Sequence, residues 1–429
     1  MLLNKLIPYA IRLKTRFPKA FTLLTSLGRR YLGGRLGLYP RLMAGEVAAA
    51  ASVLRGGQWN MTAGRGLAHE RLEAAFAEYI GVPHAIAVNT GGMALQMSIR
   101  GLGLKPGDEV IHQVDTCSAT ALAVMATSCT PVFADVSSET FMLDPASVEH
   151  WIGPSSRALI ATHMWGNTEN MPEFVRIADK HKIPIIEDTC LSLGSTVNGR
   201  MAGSFGRVGV YSFGCNKPIQ AGEGGMIVTS DEGLARELRA MRHWGDRTLE
   251  YGVRDTLVPA WNGRMSEIVA AVVHEQLKGY PRHLASMRDA VSSFIDFTSR
   301  IDGIDVALGH ATTANECSFT QVTLKLDEAF LGLSKNEFKD ALYARGIPVW
   351  HANFELINSL TLFRDDNWRP WLPAADVART RANYQAQFPV AQQLYDHGGL
   401  GLGKMNFLST QNLKHLQAQI EQLCLKAPR

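Results

Sequence analysis

The sequence predicts a mostly parallel α/β domain followed by a smaller α+β domain. Two observations predict it. From about residue 46 to about 280, short apolar strand patterns alternate with amphipathic helix patterns, as they do when helical crossovers join parallel strands. Glycines, an acid and a lysine fall where those strands end, and that edge is where α/β sheets gather their functional groups.

The elements follow in order. Residues 70–79 read as a helix, with Leu72, Phe76 and Tyr79 spaced for one face. Residues 85–88 form a short buried strand, closed by the turn Thr90, Gly91, Gly92. A strand over 109–112 precedes a helix over 118–127. Strands follow at 131–136 and 158–162, then a helix at 171–182. The apolar run 183–186 ends in Glu187 and Asp188, and further strands lie at 209–213 and 226–229. Beyond residue 280 the pattern loosens. Residues 321–326 alternate as a strand, and 335–345 and 413–425 are helical. The chain therefore divides into an arm over 1–45, a large domain over 46–275 and a small domain over 276–429, with the boundary in the helical region 265–285.

Composition excludes several classes. Hydrophobic residues make up 46% and charged residues 19% of 429 residues, ordinary for a globular protein. The six cysteines show no CxxC pair and no zinc-like spacing, which fits a reducing cytoplasm and points to no metal. The first 45 residues hold nine basic residues and no acid. That leaves 34 basic and 40 acidic residues for the rest, a balance of −6, which argues against a nucleic-acid groove across the body. On a helix, Leu3, Leu6, Ala10, Leu13, Phe17, Phe21 and Leu24 share one side of the arm. Lys5, Arg12, Arg16 and Lys19 share the other. Three readings stay open: the arm packs on the body or a partner subunit, residues 1–30 lie on the inner face of an anionic membrane, or the arm is a targeting presequence. Pro8 and Pro18 weaken a continuous helix. No apolar run approaches the ~20 residues that span a bilayer.

Three features carry chemistry. Lys217 sits in a loop after a strand, ahead of Gly222, Glu223, Gly224 and Gly225. Such a lysine can be desolvated into a nucleophile, although a lone loop lysine is ordinarily a solvated charge. Asp188 ends a buried strand 29 positions earlier. It can hold a pyridinium nitrogen or simply cap a helix. Gly91 and Gly92 lead into a helix whose first amides can bind phosphate. No GxGxxG or Walker lysine motif accompanies them.

The order of these features resembles the fold-type I pyridoxal phosphate (PLP) enzymes, and more narrowly the DegT/DnrJ/EryC1/StrS family of sugar aminotransferases. The segments that carry the likeness include 107–110, 130–135, 163–166, 186–188, Ser212 with Lys217, 222–225 and 261–265. The resemblance implies a large domain built on a mostly parallel seven-stranded sheet. It implies PLP held as a Schiff base on Lys217, with Asp188 on the ring nitrogen. Gly91, Gly92 and Ser212 fall at phosphate contacts, and Asn262 at a residue reaching the cofactor of a neighbouring subunit, which makes a homodimer the active unit. His163 matches a histidine near the site, or is a satisfied core histidine. Cys117 stands where the family stacks an aromatic ring on the cofactor, Leu191 where it has a polar residue, and Gly92 where it has threonine. Residues 350–355 lack the family's basic, proline-rich pattern. The implied reaction is transfer of an amino group from glutamate or glutamine to a keto sugar or cyclitol ketone. The alternative is elimination or oxidation on an amino-sugar-like substrate. Relatives that dehydrate sugars carry histidine in place of the lysine, and Lys217 argues against that branch.

Overall fold

The computed structural model describes residues 44–61, 66–246, 256 and 258–424. The expected arm, apart from its last two residues, lies outside the described residues. Helices α1 (Ala44–Gly56) and α2 (Leu67–Ile80) precede the first strand, β1 (His84–Val88). Helix α3 (Gly91–Gly101), β2 (Glu109–Gln113), α4 (Ser118–Ala126), β3 (Thr130–Ala134) and β4 (Ser156–Thr162) follow. Then come α5 (Met171–His181), β5 (Ile185–Asp188), β6 (Val208–Ser212), β7 (Gly225–Thr229) and α6 (Glu232–Arg242). These strands make one seven-stranded sheet in the order β1-β7-β6-β5-β4-β2-β3. Only β7 runs against the others, pairing Gly225 with Val88 on one side and with Ser212 on the other.

The alternation of strand residues splits the core into two layers. Ile86, Val88, Ile186 and Val210 face α3 and α6 through Met97, Leu234 and Leu238. Ala85, Ala87, Tyr211 and Phe213 face the opposite layer, where Phe76 of α2 packs edge-on against both rings. The small side chains of Ala85 and Ala87 make room for that aromatic cluster.

Helix α7 (Glu267–Thr298) links the two parts of the molecule and runs on through Pro281. Its first half packs against the large-domain layer at Ala270, Val273 and Leu277. Its second half enters the small-domain core at Met287, Val291 and Phe294. The division anticipated at residue 275 thus falls inside one helix. The small domain is a four-stranded antiparallel sheet of β8 (Ile304–Ala307), β9 (Gln321–Leu326), β10 (Val349–His351) and β11 (Gly399–Gly403), in the order β8-β9-β11-β10. Helices α8 (Lys335–Ala344) and α9 (Thr410–Cys424) cover it. Among the described residues no helix is long and apolar enough to cross a membrane.

Residues 356–394 leave the small domain and fold back on the large one. There Asn383 takes the place of a missing strand. Its Oδ1 accepts from the Phe133 amide at 2.8 Å and its Nδ2 donates to the Phe133 carbonyl at 2.9 Å, closing the exposed edge of β3. Replacing Asn383 with alanine leaves two buried backbone groups without partners. The urea-unfolding midpoint should fall by the equivalent of about 2 kcal/mol; an unchanged midpoint would show that water satisfies the edge.

Candidate active site

Asp188 closes β5 and is 5% exposed. Its Oδ2 accepts from the Thr120 hydroxyl at 3.2 Å, and its Oδ1 accepts from the Cys190 amide at 3.2 Å. Thr120 sits in the first turn of α4, so the start of that helix aims a donor at the strand-end acid. A carboxylate offers about four lone-pair positions, so acceptor capacity remains for a protonated ring nitrogen. The Cys190 thiol is pushed well above its usual range, first by burial and then by the Asp188 charge, and stays protonated.

The turn after β1 lies beside this acid. Thr90 caps α3, its hydroxyl accepting from the Met93 amide at 3.0 Å. The amides of Gly91 and Gly92 stand at a helix start with no carbonyl one turn below, the arrangement that binds anions. A Cβ on Gly91 would lie 2.8 Å from Ser212 Cβ and 3.1 Å from Cys190 Sγ. Gly91, Ser212 and the Asp188 strand end therefore meet at one point. Gly92 differs: a Cβ there meets nothing closer than Thr90 Oγ1 at 4.0 Å. A threonine would fit, so the glycine leaves space rather than relieving a clash.

Lys217 lies in the loop between β6 and β7. The Phe213 amide donates to the Gly224 carbonyl and the Ala221 amide to the Phe213 carbonyl, both at 2.9 Å, and these bonds close the base of the loop. Asn216, immediately before the lysine, holds a left-handed φ of 67°. The Lys217 carbonyl accepts from Gln220 Nε2 at 3.2 Å and from Lys404 Nζ at 3.1 Å.

The other predicted residues divide. His163 is fully buried. Its Nδ1 accepts from the Glu169 amide at 3.1 Å, which makes Nε2 the protonated nitrogen, donating to Glu187 at 3.1 Å. Its backbone amide donates to the Asp188 carbonyl at 3.0 Å. Both ring nitrogens are engaged with the protein, and the residue braces the end of β5. Cys117 is the exposed residue just before α4. Leu191 is half-buried and lines the cleft. Asn262 is exposed, and its carbonyl accepts from Asn89 Nδ2 at 3.3 Å, one residue before the phosphate-type turn.

A cleft of about 470 Å³ opens between the two domains. Trp165, Leu191 and Asn216 line it from the large domain, and Gln321, Trp350 and Lys404 from the small one. Its small-domain wall is tied down by a residue that the motifs did not single out. Asp115, fully buried two positions before Cys117, accepts from the Phe354 amide at 2.9 Å and from Asn353 Nδ2 at 2.5 Å. Thr120, Asp115 and Lys404 all escaped the sequence reading. Only Asp115, an acid just past a strand end, carried a signal that could have found it.

The model of the DegT/DnrJ/EryC1/StrS aminotransferase family matches residues 40–396. The chain belongs to this family. It is 35% identical over 296 residues to the GDP-perosamine synthase of Caulobacter vibrioides, covering 68% of this chain and 78% of that one. It is 38% identical to the dTDP-3-amino-3,4,6-trideoxy-alpha-D-glucose transaminase of Streptomyces venezuelae, covering 72% and 78%. The crystal structure of S. venezuelae DesV superposes with a TM-score of 0.76 at 28% identity, over 89% of this chain and 95% of that one. The fold is that of fold-type I enzymes, and the family's aminotransferases depend on PLP. The residues present suit that cofactor. An anion-binding helix start packs on a serine hydroxyl, and a buried carboxylate with spare acceptor capacity stands beside it.

Two outcomes follow. Gly91→Val forces a side chain into Ser212 and should weaken PLP binding at least about tenfold, read by cofactor titration; unchanged binding would remove Gly91 from the cradle. The second concerns Asp115, whose carboxyl is pushed up to about 7, by burial first, with Asp135 adding and the two hydrogen bonds from Asn353 and Phe354 opposing. Its ordinary value is 3.8, so between about pH 4 and 7 the folded protein holds a proton that the unfolded chain has released. Stability contributed by this group therefore falls as pH rises through that window, by at most ~1.4 kcal/mol per unit. Asp115→Asn should flatten that slope in unfolding measured across pH 4–7.

Proposed function

We propose that the protein moves an amino group from glutamate or glutamine to a keto sugar, nucleotide-linked or free, or to a cyclitol ketone. The observation that carries this is the meeting of Gly91, Ser212 and the Asp188 strand end at one sheet edge, with the Lys217 loop running from β6 into the interdomain cleft. The names of the relatives support the substrate class: both act in the chemistry of amino sugars carried on nucleotides.

When bound, PLP supplies an electron sink for the carbon that bears the amino group. The chain's own residues do the rest. Gly91 and Gly92 amides and the Ser212 hydroxyl hold the phosphate. Asp188, fixed by Thr120 and the Cys190 amide, keeps a proton on the ring nitrogen. Lys217 Nζ would hold the cofactor and would move the proton to and from the reacting carbon. His163 is a positioning residue, holding the end of β5 through its backbone amide. Cys117, exposed just before α4, would offer its polarisable sulfur to the cofactor ring where the family pattern places an aromatic. A homodimer completes the site, with Asn262 contributed from one subunit to the phosphate of the other; its exposure leaves its side chain accessible to a neighbouring subunit. The scattered cysteines suit a reducing cytoplasm.

The test is the donor half-reaction. Purified holoenzyme incubated with glutamate or glutamine alone should release the corresponding 2-oxo acid once per site, with loss of the cofactor's near-visible band. Lys217→Ala should slow that release by at least ~10³-fold. No 2-oxo acid from any amino donor would overturn transamination in favour of elimination or oxidation at the same site.

A further inference from the structure

Lys404 is a second lysine at the site, and no motif announces it. It follows β11 in a short 3-10 turn, lines the cleft from the small domain, and donates from Nζ to the carbonyl of Lys217 at 3.1 Å. That carbonyl is gripped from two directions. Gln220 Nε2 reaches it at 3.2 Å from within the loop. Gln220 is itself fixed to α7, its amide donating to Gln276 Oε1 at 2.9 Å and its carbonyl accepting from Gln276 Nε2 at 2.6 Å. The large-domain side of the grip thus runs from α7 through two glutamines to Lys217. Lys404 is the small-domain side.

We propose that Lys404 is a positioning residue for Lys217: its ammonium fixes the backbone at the catalytic lysine and couples the small-domain wall of the cleft to it. A charged donor makes a stronger hydrogen bond to a carbonyl than a neutral one, so the coupling depends on the charge of Lys404. Burial pushes that ammonium down to about 7, with Lys217 adding to the effect and Cys215 opposing it. From α7, His283 and Tyr280 line the same small pocket as Lys404; His283 is itself held down by burial first and by Lys404 second. Lys404 is therefore charged below about pH 7 and loses its charge above it. A grip on Lys217 that weakens in the neutral range follows from that sign.

The proposal rests on the transaminase reading for its kinetic arm only. In cofactor-free protein, Lys404→Met should speed amide hydrogen exchange in residues 214–221 several-fold, while exchange in β4 and β5 stays as in the wild type. In holoenzyme, the single-turnover donor half-reaction of the wild type should slow by about tenfold from pH 6.5 to 9. Lys404→Met should show the slow rate throughout that range. Lys404→Arg, whose guanidinium stays charged, should keep the fast rate to pH 9. Three results would overturn the proposal: exchange in 214–221 unchanged in Lys404→Met, exchange raised equally across the protein, or an arginine variant with the wild-type pH profile. A wild type that releases no 2-oxo acid would remove the transaminase reading instead, and the exchange contrast would still decide the role of Lys404.

Discussion

The site depends on a close approach of two backbones at the sheet edge. Where β7 begins, Gly225 sits so near the turn after β1 that a Cβ would lie 2.5 Å from the Thr90 carbonyl oxygen and 2.8 Å from the Gly91 nitrogen. Any side chain there would push the start of α3 outward. Gly91 repeats the constraint against Ser212, the last residue of β6. Two glycines, one at the start of α3 and one at the start of β7, thus allow β1, β6 and β7 to bring a helix start, a hydroxyl and the base of the Lys217 loop together. The antiparallel run of β7 is part of this, because it starts β7 at the same edge where β1 and β6 end.

Much of this was legible in the sequence, for a physical reason. Strands buried on both faces read as apolar runs, so β1 to β7 stood out, and their ends marked Gly91, Asp188 and Ser212. The start of α3 at Thr90 and Gly91 read equally well. The small domain was less legible. Of its strands, β9 alternates cleanly, whereas β11 is Gly399, Leu400, Gly401, Leu402, Gly403 and offers little but its two leucines to a pattern search. Its glycines are explained by packing: a Cβ at Gly401 or Gly403 would collide with the Trp350 ring. In helix α7 packing overrides a local rule. An interior proline ordinarily interrupts a helix, yet α7 continues through Pro281, with Leu277, Tyr280 and Leu284 burying its face on both sides of the proline.

The residues missed at the site share a property. Asp115, Thr120 and Lys404 are defined by partners far away in the chain. Asp115 meets Asn353 and Phe354 more than 230 positions later, and Lys404 meets Lys217 across 187. Local spacing cannot report such contacts. Asp115 is instructive because its neutral form is well served. Asn353 Oδ1 has no hydrogen-bond partner, so a flipped Asn353 amide can accept from a protonated Asp115, while the other carboxyl oxygen keeps the Phe354 amide. A buried carboxyl with that option is stable in place without an ion pair, and it holds the cleft wall by hydrogen bonds alone.

Of the departures from the family pattern, Cys117 and Leu191 fall on the open side of this arrangement, whereas Gly92 lies in the turn that starts α3. Asp188 and Gly91 are buried, and Ser212 is wedged against Gly91, each held by several contacts at once. Cys117 is exposed at the start of α4, and Leu191 is half-buried facing the cleft beside Trp165 and Trp350. A group with many simultaneous partners tolerates little change of size or chemistry, whereas one facing a cleft is constrained mainly by what enters the cleft. On the proposed reading, the residues that would hold the cofactor lie on the packed side of the site, and those that would meet the acceptor on the open side. On that reading the apolar wall of Trp165, Leu191, Trp350 and Phe354 suits the less polar face of a ring, with Asn216 placed to meet a polar edge.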